Sequence, residues 1–150
     1  MFPNSEMIHG LRRAELINLL DNSRMPVKHA YSPFRRQDSR VTEPVRFDID
    51  ELHVCVKPVS VVRHNWAIAP VDTIVIEVTI PPVDDNALMD EDAFLRDSGI
   101  GHIQQVPAGV VIRRTVTFVG GIMPQNLLYQ MEMLCVSALH LLGEEIDDSD

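Results

Sequence analysis

Residues 73–80 read TIVIEVTI, and Pro81-Pro82 follow at once. Ile74, Ile76, Val78 and Ile80 fall on one side of an extended chain, with Glu77 and Thr79 on the other. Such alternation of β-branched residues marks a strand with one buried face. Two prolines in succession stop it, because neither supplies the N–H a ladder needs.

Working back towards the N-terminus, the same period recurs. Phe47 and Ile49 alternate with Asp48 and Asp50; Leu52, Val54 and Val56 then alternate with Glu51, His53 and Cys55. The apolar parity switches about Asp50, as a turn or a bulge requires, and Pro58 interrupts the run. Val59 to Ile68 is a further strand candidate with Trp66 and Ile68 on one face, closed by a turn at Pro70 to Asp72. Val27 to Tyr31 reads as a short strand. Ser32 to Thr42, with Pro33, three arginines and two serines, reads as a polar loop. At the start of the chain Ser5 can cap a helix over Glu6 to Asn22. Leu11, Ala14, Ile17 and Leu20 would form its apolar stripe, broadened by Leu16 and Leu19, with Arg12, Arg13 and Glu15 towards water.

Beyond the two prolines a helix is expected over Asp84 to Asp97, capped by Asp84, Asp85 or Asn86, with Leu88, Phe94 and Leu95 as its partial apolar face. Ser98 to Gly101 stop it. Val110 to Val119 is another β-branched run, ended by Gly120-Gly121. Pro124 suits the first turn of a last helix, whose Leu127, Met131, Leu134, Cys135, Ala138 and Leu142 repeat at three- and four-residue steps before Gly143. The order is helix, several strands, helix, a strand or hairpin, helix. Strands in succession argue against alternating βαβ units and predict an α+β fold, an antiparallel sheet flanked by helices.

With 150 residues, 45% of them hydrophobic, the chain is expected to make one domain with its own core. The formal net charge is −9, which makes nucleic acid and anionic membranes poor partners. The sign is uneven: Glu144, Glu145, Asp147, Asp148 and Asp150 give an acidic tail near 144–150, whereas Arg35, Arg36, Arg40 and Arg46 make a basic patch in and beside the loop near 32–42. That patch reads as a solvated loop or as a docking site for an acidic partner. The two cysteines, Cys55 and Cys135, stand among apolar neighbours in no metal spacing, as free thiols of a reducing compartment do. No apolar stretch reaches signal-peptide or membrane-span length, so a cytoplasmic protein without membrane contact is expected.

Candidate chemistry is sparse. None of His9, His29, His53, His64, His102 and His140 stands at an HxH or i, i+4 spacing, so no metal ligation is expected. Gly99-x-Gly101 and Gly120-Gly121 extend to no phosphate-binding motif, and no serine lies in a GxSxG elbow. Asp84-Asp85 and Asp90-Glu91-Asp92 could perform acid–base work together with a histidine such as His102; equally, they suit the start of a helix. No cofactor is implied. Trp66 is either core or, if exposed, an anchor for a partner. Met131 is either core or part of a dimer or client groove.

The segment VVIRRTVTFVGGIMPQNLLYQMEMLCVSALHLLGEE, Val110 to Glu145, resembles the C-terminal part of the bacterial YbjN family: a strand, a turn of the form GG[VI]-x-x-x-x-L, and a long amphipathic helix. Gly120, Gly121, Ile122 and Leu127 match that turn, and Thr115, Thr117 and Phe118 occupy the preceding strand. Leu11, Leu16 and Leu20 in the opening helix and the short helix at Ala87 to Leu95 also fit. Val27 to Ile68 departs from the family's shorter, more aromatic first hairpins. The resemblance implies a fold like that of the type III secretion chaperones, frequent pairing as a homodimer, and no enzymatic role. Family members are commonly described as regulators of sensory transduction with stress and motility phenotypes, and no catalytic residues exist to carry over. The expected function is therefore a chaperone-like, protein-binding regulator. The alternatives are an enzyme or small-ligand protein built on the Asp84–Asp92 carboxylates and a histidine, and an inactive subunit of a larger assembly.

Overall fold

The computed structural model describes residues 7–23, 27–28, 44–49, 52–59, 66 and 69–143. In chain order the elements are α1 (Arg13–Asp21), β1 (Val27–Lys28), β2 (Val45–Ile49), β3 (Leu52–Pro58), β4 (Thr73–Ile80), α2 (Asp85–Ser98), β5 (His102–Val106), β6 (Gly109–Thr117) and α3 (Pro124–Leu141). The strands form one antiparallel sheet in the order β1-β2-β3-β4-β6-β5, in which β1 is a two-residue edge piece. The fold is α+β.

TIVIEVTI sits at the centre. Its neighbours β3 and β6 pair with it over almost their full lengths, and the register aligns one parity across all the long strands. Phe47, Val54, Val78, Ile112 and Ile103 stand in one row, Val45, Val56 and Ile76 in the next, and all but the half-buried Ile103 are buried. Leu16 and Leu20 of α1, Leu88 and Leu95 of α2, and Leu127, Met131, Leu134 and Ala138 of α3 join these strand residues in a single core. The helices therefore cover one face of the sheet. The parity switch about Asp50 is the passage from β2 to β3, which are paired by Ile49 and Leu52; Asp50 and Glu51 lie outside the described residues.

Several expectations need correction. The first helix begins at Arg13, not Glu6, because the backbone before it is engaged elsewhere. Ile8 exchanges hydrogen bonds with Ile122 at 2.7 and 3.0 Å, and Leu11 with Val71 at 2.9 Å in each direction. Ser5 lies outside the described residues; Glu15 instead reaches back to the Arg12 N–H at 2.9 Å. The face turned to the core also differs: Ala14 is exposed, while Arg13 is buried beside Leu16 and Leu20. Of the strand candidate Val59 to Ile68 only Val59 and Trp66 are among the described residues, and Trp66 lies in a turn. Val27 to Tyr31 is described only at Val27–Lys28, and the loop near 32–42 and the tail near 144–150 lie outside the described residues.

The second helix and its Asp84 cap are as expected, with the carboxylate accepting from the Asn86 and Ala87 N–H groups. Phe94, however, is 53% exposed; Glu91 takes the buried place between Leu88 and Leu95. The last helix follows its sequence pattern, with Pro124 in its first turn.

The open choice between a strand and a hairpin resolves as a hairpin, β5–β6, turning at Pro107-Ala108. Gly109 makes it fit. Its φ is +154°, and a Cβ there would lie 2.2 Å from the Ile80 carbonyl oxygen of β4. Backbone cannot yield as a flexible side chain can. Replacing Gly109 by Ala is therefore expected to cost about 2–3 kcal/mol, as overpacking and a disfavoured φ combine. Urea unfolding measures this, and Gly120→Ala is the informative comparison: it has positive φ but no neighbour within 4 Å.

Candidate interaction surface

The parity that fills the core raises a second face on the sheet. Read across the register, Arg46 stands beside Cys55, Cys55 beside Glu77, Glu77 beside Arg113 and Arg113 beside His102, one row over five strands. Asp48, His53, Thr79, Val111 and Gln104 flank it on one side, and Lys57, Val75 and Thr115 on the other. Among the described residues no helix or strand lies over this face.

Glu77 organises it. Its side chain is only 12% exposed and receives Lys57 Nζ at 3.0 Å and Arg113 Nη2 at 2.7 Å. Arg113 Nη1 in turn donates to Gln104 Oε1 at 2.8 Å. Burial works to raise the Glu77 carboxyl, but hydrogen bonds from Lys57 and Arg113, together with their charges, overcome it, and the net displacement is downward. Cys55 behaves oppositely. Burial lifts its thiol against the lowering influence of Arg46 and Lys57, with Glu77 adding to the rise. A thiol raised in this way stays protonated at neutral pH and is a poor nucleophile.

The β5 edge of the sheet is closed by a side chain. Asp92 of α2 accepts the Ile103 N–H at 2.8 Å and Arg96 Nε at 2.8 Å. Burial alone would raise this carboxyl; the hydrogen bonds from Arg96 and Ile103 and the charges of Arg96 and His102 bring it below its ordinary value. An outward strand N–H is thus occupied where another chain would pair.

The carboxylates once considered for acid–base work are dispersed by these duties. Asp84 caps α2, Asp85 accepts from Gln105 Nε2 at 3.3 Å, Asp92 holds the edge, and Glu91 meets His140 Nδ1 at 3.0 Å. His102 is close enough to influence Asp92 but belongs to the other face of β5. Among the described residues no group of three or more His, Cys, Asp or Glu side chains could hold a metal ion. No described helix is long and apolar enough to cross a membrane.

Two of the expected partner-binding residues lie in the core. Trp66 is fully buried, its Nε1 donating to the Leu11 carbonyl at 2.8 Å, while the Arg13 N–H donates to the Trp66 carbonyl at 3.2 Å. Met131 is 1% exposed, beneath α3. Neither ring nor thioether can anchor a partner from there. Arg35 and Arg36 lie outside the described residues, and Arg46 of the same basic patch stands on the open sheet face.

Arg114 is the charged residue that the sequence reading missed. It is opposite Ile76 and so belongs to the apolar face, where it donates to the Gly99 and Ile100 carbonyls at the end of α2 and to Gln130 of α3. Burial pushes its guanidinium below the usual arginine value, and the C-terminal carbonyls of α2 favour the cation. The signal was present: Val110, Ile112, Arg114, Val116 and Phe118 share one parity.

No protein-family model matches this chain, and no curated protein matches it either.

The carboxylates set two measurable consequences. Glu77 and Asp92 have folded-state values below their unfolded ones, so the stability they contribute is complete above about pH 4.5 and is lost as pH falls through the folded values. Glu77→Gln is expected to flatten this acid limb of a stability–pH profile followed by urea unfolding. Asp92→Ala leaves the Ile103 N–H without its acceptor. We expect a loss of about 1–2 kcal/mol and faster hydrogen exchange at the Ile103 amide than at Ile112, within the β6 ladder.

Proposed function

We propose that this protein is a non-catalytic, chaperone-like regulator of the cytoplasm that works by binding another protein, as the resemblance to the YbjN family implies. The observation that carries the reading is the one-sided layering. Helices cover one face of the sheet, and the other presents a broad row of half-buried polar groups to which no catalytic triad or metal cluster belongs among the described residues. The order helix, three long strands, helix, two strands, helix supports a relation to the type III secretion chaperones, which also pack helices on a twisted antiparallel sheet. Pairing as a homodimer belongs to the same reading.

The open face suits a segment laid across it better than a strand added at β5, because Asp92 already occupies the Ile103 N–H on that edge. Among the described residues of β2 to β6, Arg46, Lys57 and Arg113 give this face three cations against the two anions Asp48 and Glu77, in a chain of net charge −9. Acidic client segments are therefore favoured there over basic ones.

An affinity capture of the tagged chain from its source cells, read by mass spectrometry against a charge-matched control, tests the proposal. One or two proteins at near-stoichiometric levels are expected, and the exposed pair Arg46→Glu with Thr115→Glu should lose them while retaining the fold. Recovery of no protein, or recovery indifferent to that pair, would remove the basis for the reading.

A further inference from the structure

The outer face of α3 lacks the charge expected of a solvent-facing helix. Its eighteen residues contain one carboxylate, Glu132, one histidine, His140, and no lysine or arginine, whereas 23% of the whole chain is charged. Tyr129, Glu132, Val136 and His140 follow one another at three- and four-residue steps on the side away from the core, so they share one face. Tyr129 is 60% and Val136 38% exposed, with Met133 half-buried between them. A helix with apolar groups on both sides is the kind that is covered on both.

The patch continues onto α2. Glu91 meets His140, and Arg114 ties the end of α2 at Gly99 and Ile100 to Gln130. Rising numbers in α2 thus accompany falling numbers in α3, and the two helices run antiparallel. By that alignment Phe94, 53% exposed and one turn beyond Glu91, lies near the level of Val136. Phe94, Tyr129 and Val136 together make an apolar surface with two aromatic rings, the residue type that anchors interfaces.

We infer that this surface pairs with a second copy of the same chain, α3 against α3, antiparallel about a two-fold axis at Val136. The charge pattern selects this occupant. Glu132 and His140, the carboxylate and the imidazole of the outer stripe, stand four residues to either side of Val136, about 12 Å apart along the helix. Antiparallel pairing centred on Val136 brings Glu132 of each copy level with His140 of the other, so the surface is complementary to itself. The same symmetry sets Met133 level with Leu139, and Tyr129 level with Gly143, where no side chain obstructs a ring.

This inference rests on the homodimer part of the proposed function and leaves the open sheet face free for a client, so it can fail without the client-binding reading failing, and the reverse. Sedimentation equilibrium of the full chain is expected to give twice its 16.9 kDa mass at micromolar concentration, and Val136→Asp the single mass with an unchanged circular dichroism spectrum. A monomeric wild type, or a Val136→Asp dimer, would overturn it. Disulfide trapping decides the register should Val136→Asp fail to fold. In a Cys55→Ser, Cys135→Ser background, Val136→Cys should oxidise to a covalent dimer, whereas Met89→Cys, 70% exposed elsewhere on α2, should not. Equal trapping at both positions, or at neither, would refute the antiparallel pair.

Discussion

A central strand whose described helices all lie on one side must send alternate residues into different media, and TIVIEVTI meets that constraint over its whole length. Ile74, Ile76, Val78 and Ile80 are all buried, and Thr73, Val75, Glu77 and Thr79 are all half-buried. Because β3 and β6 pair with it in full register, the division propagates to the rest of the sheet. A slip of one residue against either neighbour would bring Glu77 into the core and carry Ile76 to the open face. The core, the place of the helices and the composition of the open face are consequences of this one register.

Arg114 shows how strictly the register binds. It occupies an apolar-parity position in β6 and so cannot reach water on the open side. The guanidinium is half-buried there and needs acceptors, since a charge drawn partly out of water without them is costly. It finds them at the end of α2, where the Gly99 and Ile100 carbonyls have no partner within the helix, and at Gln130 of α3. One side chain thus serves the sheet, the α2–β5 connection and α3 together, and it fixes the antiparallel course of the two helices.

Much of this was legible in the sequence because it depends on local period. TIVIEVTI, the Asp84 cap, the parity switch about Asp50 and the Pro124 start of α3 each lie within a few residues of the signal that announces them. What escaped depends on contacts distant in sequence. The start of α1 is set by Ile122, Val71 and Trp66, more than fifty residues away, and no pattern within Glu6 to Asn22 encodes them. β5 was hidden because His102–Val106 has no clean alternation; its outward N–H is met by Asp92, and its Gln105 by Asp85. Trp66 and Met131 were ambiguous from composition alone, since rings and thioethers serve cores and interfaces equally. Arg114 was readable in principle, by asking which parity of VVIRRTVTF continues the apolar set.

An α+β sheet of this kind has three ways to meet another chain: along an edge strand, across an uncovered face, or through its helices. At β5 the first is obstructed, because α2 spends Asp92 on the Ile103 N–H. Four acidic residues at α2 thereby have duties: Asp84 starts the helix, Asp85 and Asp92 hold β5, and Glu91 meets α3. On α3, Gln130 and His140 have such contacts, with Arg114 and Glu91, and the helix carries almost no charge. Its outer residues hold no strand, cap no helix and keep no edge closed. Exposed Tyr129 and Val136 with so little charge around them would be a liability on a solvated helix, and they acquire a physical rationale when the helix is covered. The two surfaces that remain differ in chemistry, one polar and cationic across the sheet, the other apolar along α3. They lie on opposite sides of the same layer, so occupation of one does not obstruct the other.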